Sequence, residues 1–389
     1  MIIGTLDHLR KSQRLPLRLS RWPPWHQRRM SERKIDNLTG IRGIAALWVA
    51  LYHFQTTPGV DSLSLGSVVA HGYWGVDVFF VLSGLILAIT YVPRFAVTGV
   101  TASAMFDFLA KRVARIYPLH IASFLVLFAA WFVASLNNYD FQGASINNWW
   151  SATCNLLMIH AWGLTDALSW NTPSWSISAE WFAYLLIFPT CIALLSRVST
   201  SSCVVIAGAL WLALVVYVYL RHDGHLAGVT TDGAVRIVPE FLGGYAAWRV
   251  IAGARRFPDG NFVTVAALLA IIVLCSLPEQ AFALLLPSIA ILLIGLYIGG
   301  IQVNRVFGNR AVVFLGEISY SIYMSHVIVQ IVVNQIVRRA IREPSLAISI
   351  AVLMAEMVLT ILCGYLGYAL VEAPARKWIV GKLVSPTGR

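Results

Sequence analysis

Along the chain, long apolar runs alternate with short polar breaks from about residue 41 to residue 370. Ten runs approach the roughly 20 residues that a helix needs to cross a bilayer core. They fall at about 41–57, 72–91, 117–136, 174–195, 202–220, 235–253, 261–277, 283–301, 313–333 and 346–370. Backbone groups in lipid have no water to bond, and segments rich in Leu, Ile, Val and Ala satisfy them internally as helices. The pattern predicts an all-α, polytopic membrane helix bundle of about ten transmembrane helices. Two stretches break the rhythm. Residues 92–116 include most of FDFLAKRVARIYP, whose amphipathic pattern predicts a surface helix ended near Pro118. Residues 137–173 hold NNWW, the apolar LLMIHAWGL, too short to span, and SWNTPSW. They predict an interfacial or re-entrant element, since tryptophan is favoured at membrane interfaces.

Composition agrees with this class. Hydrophobic residues make up 58% and charged residues 12% of the chain, and the mean hydropathy is +0.72, which excludes a soluble globular protein. The net charge of +11 raises nucleic acid as a partner, but Lys and Arg gather in short loops and tails. That placement orients a membrane protein and calls for no nucleic acid. An even number of spans puts both termini on one side. Most of the 29 Lys and Arg lie in loops on that side, against Arg221 and the cluster Arg338, Arg339 and Arg342 on the other. The asymmetry predicts cytoplasmic termini. Residues 1–35 read as a basic, disordered cytoplasmic arm, with Met30 an alternative start; residues 36–378 read as the membrane domain and 379–389 as a cytoplasmic tail. The five cysteines are scattered without metal-ligand spacing, so neither a disulfide framework nor a metal site is expected.

Ionisable groups inside apolar spans are costly and point to function. Arg42 and His53 stand eleven residues apart on the first predicted span. Helical geometry puts them within about 20° of one face and roughly 16 Å apart. Asp77, Glu180 and His326, on three other predicted spans, fall with His53 in the same half of the membrane. At the opposite surface, Arg42 is joined by Lys111, Arg112 and Arg115. Guanidinium groups bind phosphate in bidentate fashion, so this cluster suits an extended phosphorylated carrier such as coenzyme A, its thin arm threading toward His53. Glu372, followed by Pro374, Arg376 and Lys377, reads as the stop and anchor of the last helix. Embedded Asp, Glu and His also suit a transporter or flippase for a small solute or lipid-linked glycan, although no internal repeat is visible.

Six segments in one order carry a family resemblance: GIRGIAALWVALYHF, GYWGVDVFFVLSG, KRVARIYPLH, NTPSWSISAEWFAYLLIFP, FLGEISYSIYMSH and VEAPARKW. Over about residues 36–378 the chain resembles the acyltransferase 3 family of bacterial integral-membrane O-acyltransferases. The resemblance implies a multi-pass protein of the bacterial inner membrane. It also implies transfer of an acyl group, usually acetyl from acetyl-CoA, to a hydroxyl of lipopolysaccharide, exopolysaccharide or a related glycan. It makes Arg42 and His53 the central pair and Arg112 and Arg115 the inner arginine pair, with Glu180 and His326 at motif positions. His53 is then either the general base on the sugar hydroxyl or a transient acyl carrier. Glu180 and Asp77 are both candidates to orient its ring.

Overall fold

The computed structural model describes residues 24–137, 146–340 and 344–384. Among them the fold is helical, with no strand. Residues 1–23 of the expected arm, and Arg342, lie outside the described residues. The principal helices are α1 (Pro24–Phe54), α2 (Gly75–Thr98), α3 (Ala102–Leu136), α4 (Trp149–Leu156) and α5 (Trp175–Phe182). They continue with α6 (Thr200–Arg221), α7 (Gly233–Gly253), α8 (Gly260–Cys275), α9 (Leu285–Ile298) and α10 (Arg310–Glu317), then α11 (Ser319–Ala340), α12 (Leu346–Gly367) and α13 (Ala373–Leu383).

Among the described residues, seven helical segments are long and apolar enough to cross a membrane, which makes this a multi-pass membrane protein. The three predicted spans outside that set carry embedded charge or fall short of a full crossing. The first carries Arg42 and His53, the sixth carries Arg236, Glu240 and Arg249, and the seventh is the 16-residue α8. A helix with embedded charge must turn it away from hydrocarbon. Accordingly, α7 buries Arg236 and Glu240 almost completely, whereas α12 exposes much of its apolar surface.

Helices α2 and α7 share the most extensive helix–helix contact. Two glycines allow it. A Cβ on Gly84 would stand 2.0 Å from the Phe241 carbonyl oxygen, and one on Gly244 would stand 1.9 Å from that of Val81. Small residues let backbones approach this closely where lipid supplies no hydrophobic drive for association.

One expectation is corrected. Helix α3 does not end near Pro118; it runs through Pro118 as one 35-residue helix, so the amphipathic stretch and the following span are continuous. The region 137–173 is only partly described. Within it, α4 exposes Trp149 and Trp150, while Trp170 is buried against Phe124 and Phe128.

Candidate active site

Two cavities flank the α1–α11 contact, one at each end of the Arg42–His53 spacing. The first encloses about 760 Å³ out to its mouth, and its lining includes Arg42, Ser83, Arg112, Arg115, Glu180 and Tyr184. The second encloses about 600 Å³, and its lining includes His53, Tyr52, Tyr73, Trp175, Arg236 and Thr230. Tyr323 lines both. Its ring packs edge-on to Phe79 at 6.0 Å, and its hydroxyl accepts from Ser176 Oγ (2.8 Å) and donates to the Pro173 carbonyl (3.0 Å).

The first cavity collects guanidinium groups. Arg112 lies over the rings of Tyr91 and Tyr184, at 5.7 and 5.8 Å from their centroids. Arg115 faces Glu372 at 3.7 Å, and Ser321 donates to the same carboxylate at 2.9 Å. Arg112 Nε and Arg115 Nη2 are shut off from solvent with no acceptor. Among the described residues no hydrogen bond closes on the Arg42 guanidinium, which sits in the field of Arg115, Glu372 and Glu180. Opposite them, Ser83 donates to the Glu180 carboxylate.

Both π-helical turns of the described chain serve this cavity. One, Ala183–Ile187, comes just after Glu180 and carries Tyr184; the other, Tyr368–Glu372, carries Glu372. A π turn inserts one residue and rotates the helix on its N-terminal side relative to the helix on its C-terminal side, and such turns recur at functional sites.

At the second cavity His53 occupies the last turn of α1. Its Nδ1 lies 2.9 Å from the Val49 carbonyl and 3.3 Å from His326 Nε2. His326 Nδ1 lies 2.6 Å from the Tyr323 carbonyl. The carbonyl of His53, near the helix end, accepts from the Thr56 N–H (3.2 Å), Gln330 Nε2 (2.6 Å) and Thr56 Oγ1 (2.8 Å). The backbone beneath the ring is therefore fixed from α11.

The structure brings His53 together with His326, and Arg42 with Arg112, Arg115 and Glu180. It separates the other expected partners. Asp77 does not reach His53: it chelates Arg236 through Nη2 (2.7 Å) and Nε (3.2 Å) and lines neither cavity. Glu180 belongs to the arginine cavity and not to the level of His53. Neither carboxylate orients the imidazole. Lys111 lines neither cavity and lies in the field of Arg94 and Asp107. Glu372, expected as a surface anchor, is buried against Arg115. Tyr320, Tyr323 and Gln330 were not singled out from sequence. The signal is the spacing in YSIYMSHVIVQ: steps of three and four residues from Tyr320 put Tyr323, His326 and Gln330 on one stripe of α11.

Comparisons with known proteins bear on the family of the chain. The model of the acyltransferase domain family, Acyl_transf_3, matches residues 35–369. The chain is 35% identical over 162 residues to acyltransferase MdmB of Streptomyces mycarofaciens, covering 40% of this chain and 38% of that protein. It is 38% identical over 96 residues to protein 2 in the picA locus of Rhizobium radiobacter, covering 25% and 44%. It is 27% identical over 125 residues to a Staphylococcus aureus (strain COL) protein with O-acetyltransferase in its name, covering 30% and 19%. The matches span less than half the length of each of these relatives. No solved structure matches the chain. With a family match running from before Arg42 to beyond His326, the chain belongs to the acyltransferase 3 family.

Proposed function

We propose that this protein is an O-acyltransferase of the bacterial inner membrane. It takes an acyl group, acetyl in the first instance, from acyl-CoA on the cytoplasmic side and passes it to a hydroxyl of a cell-surface or other extracytoplasmic glycan. Both termini face the cytoplasm. The observation that carries the reading is that one helix presents Arg42 to an arginine-rich cavity and His53 to a second, aromatic cavity across the Tyr323 ring.

The donor is an anion with a thin arm. Buried N–H groups without acceptors cost of order 1–3 kcal/mol each. Arg112 Nε and Arg115 Nη2 are such groups, and phosphate oxygens satisfy them with charge-assisted bonds. Arg42, Arg112 and Arg115 hold the carrier, and the arm covers the roughly 16 Å to His53. The acceptor enters the other cavity, where Tyr52, Tyr73 and Trp175 offer flat apolar faces and Thr172 and Thr230 offer hydroxyls.

His53 takes the proton of the acceptor hydroxyl as its oxygen attacks the thioester carbonyl. The tetrahedral intermediate expels the CoA thiolate, and the imidazolium returns the proton to that sulfur. Products are the ester and free CoA thiol, so no other proton source is required. The C-terminal end of α1 bears partial negative charge, which favours the transient imidazolium.

The test uses inverted membrane vesicles that carry the full chain and receive radiolabelled acetyl-CoA. His53→Ala should abolish transfer of label to vesicle material while the protein still inserts; undiminished transfer overturns the mechanism. Replacing Arg112 and Arg115 with Gln should raise KM for acetyl-CoA by roughly tenfold or more, the equivalent of one lost charge-assisted bond. An unchanged KM removes the arginines from the donor site.

A further inference from the structure

Two carbonyl oxygens fix where the hydrogens of the histidine pair lie. A carbonyl only accepts, so His326 Nδ1, 2.6 Å from the Tyr323 carbonyl, carries hydrogen and its Nε2 is bare. The same argument puts hydrogen on His53 Nδ1, 2.9 Å from the Val49 carbonyl. The bare His326 Nε2 faces that hydrogen at 3.3 Å, and the rings meet edge-on with centroids 4.8 Å apart. One N–H is thus shared between two acceptors, and the lone pair of His53 is left on Nε2, which among the described residues bonds to no protein group.

We propose that His326 is the positioning residue of this reaction: its bare Nε2 accepts the Nδ1 hydrogen of His53, fixing the ring so that Nε2 meets the acceptor hydroxyl. The assignment rests on the reading of His53 as the group that takes the acceptor's proton. In this arrangement a neutral imidazole holds the place that a carboxylate holds behind the histidine of a serine hydrolase. His326 gives up no proton during turnover. It shares the Nδ1 hydrogen more strongly while His53 is an imidazolium, then relaxes when the thiolate is protonated.

The surroundings leave that task to His326. The titratable groups around the pair are Tyr52, Tyr73, Tyr323 and Arg236 at the second cavity. Two carboxylates stand behind them: Glu356, reached through Thr57, which donates to it at 2.8 Å, and Glu279, to which Tyr73 donates at 3.3 Å. Among the described residues none of their side chains bonds to either ring. Arg236 is occupied by Asp77, Glu240 and the Leu226 carbonyl. A second histidine pair, His120 and His160, stacks at 5.8 Å but lines neither cavity.

Two variants separate positioning from packing in the vesicle assay, with kcat and KM for acetyl-CoA resolved. His326→Leu removes the acceptor and should lower kcat by about 10- to 100-fold, less than for a lost triad carboxylate because the Val49 carbonyl remains. KM for acetyl-CoA should stay within about twofold, as expected for an interaction strengthened only in the transition state. His326→Gln offers an amide oxygen to the same hydrogen and should hold kcat within about tenfold of the native protein. Equal losses in the two variants, or a KM that rises as kcat falls, would overturn the assignment. If His326→Leu does not insert, His326→Met, of similar volume and without a strong acceptor, takes its place. His53→Ala in the same vesicles keeps the two readings apart. Full transfer by that variant overturns His53 as the group that takes the acceptor's proton, whereas lost transfer beside a fully active His326→Leu overturns only the role of His326.

Discussion

Asp77 is a carboxylate shut inside the helix bundle. It lies in an apolar run, as a site carboxylate would, yet it closes a buried pair with Arg236, 159 positions away; each side chain is 1% exposed. Such a pair contributes little relative to an apolar pair of the same shape, but removing Asp77 leaves Arg236 with Glu240 as its one carboxylate among the described residues, 3.5 Å away, and breaking a buried pair costs up to about 3–5 kcal/mol. Asp77→Ala should therefore lower the unfolding temperature of the detergent-solubilised protein sharply. The double variant Asp77→Leu, Arg236→Met should recover most of the loss. If thermal unfolding shows the single variant no weaker than the double, the pair does not hold α2 to α7. The Arg42–His53 spacing was legible for the opposite reason. Both residues lie on one helix, and eleven positions fix their relation through the period of that helix alone. His326 was legible as a residue buried at the right depth, but not as the partner of His53, because that contact crosses 273 positions.

Among the elements, the runs of apolar residues located the helices well and their irregularities poorly. Pro118 reads as a stop because proline removes a backbone donor and crowds the preceding turn. In the structure α3 continues through it, with Tyr320 donating to the nearby Ile116 carbonyl. Membrane helices tolerate proline where neighbouring helices supply polar groups of this kind. The two π turns left no mark in the apolar pattern, since one inserted residue hardly alters a run of twenty. Their consequence is large, because the turn at Ala183–Ile187 sets the rotation of Glu180 relative to the next helical stretch. Deleting Leu186, a half-exposed residue in that turn, should restore regular α-helix and swing Glu180 and Tyr184 away from their common cavity. The expected outcome is an inserted protein whose KM for acetyl-CoA rises by roughly tenfold or more, the equivalent of losing the Tyr184 face beneath Arg112. An unchanged KM would show that the π turn does not serve the donor site.

At the scale of the whole molecule, the apolar pattern implied one passage from Arg42 to His53, whereas the fold holds two cavities with the Tyr323 ring as their common wall. Nothing in the sequence distinguishes the two, because the wall is built by side chains of α11, α2 and the turn before α5 converging from distant parts of the chain. The wall gives the proposed reaction its order. While the ring is held by Ser176 and the Pro173 carbonyl, a thioester in the arginine cavity is out of reach of His53 and of water on the far side. Excluding water at this stage suppresses hydrolysis of the donor, so the ring must swing aside for transfer and return afterwards. Tyr323→Phe keeps the ring and loses both hydroxyl contacts, leaving the wall in place but easier to displace. Tyr323→Ala removes the wall and merges the cavities. In vesicles given radiolabelled acetyl-CoA, the Phe variant should transfer label at or above the native rate with little free acetate. The Ala variant should release free acetate by hydrolysis at the expense of transfer. Acetate release as low in the Ala variant as in the native protein would mean that the wall lies elsewhere along the path.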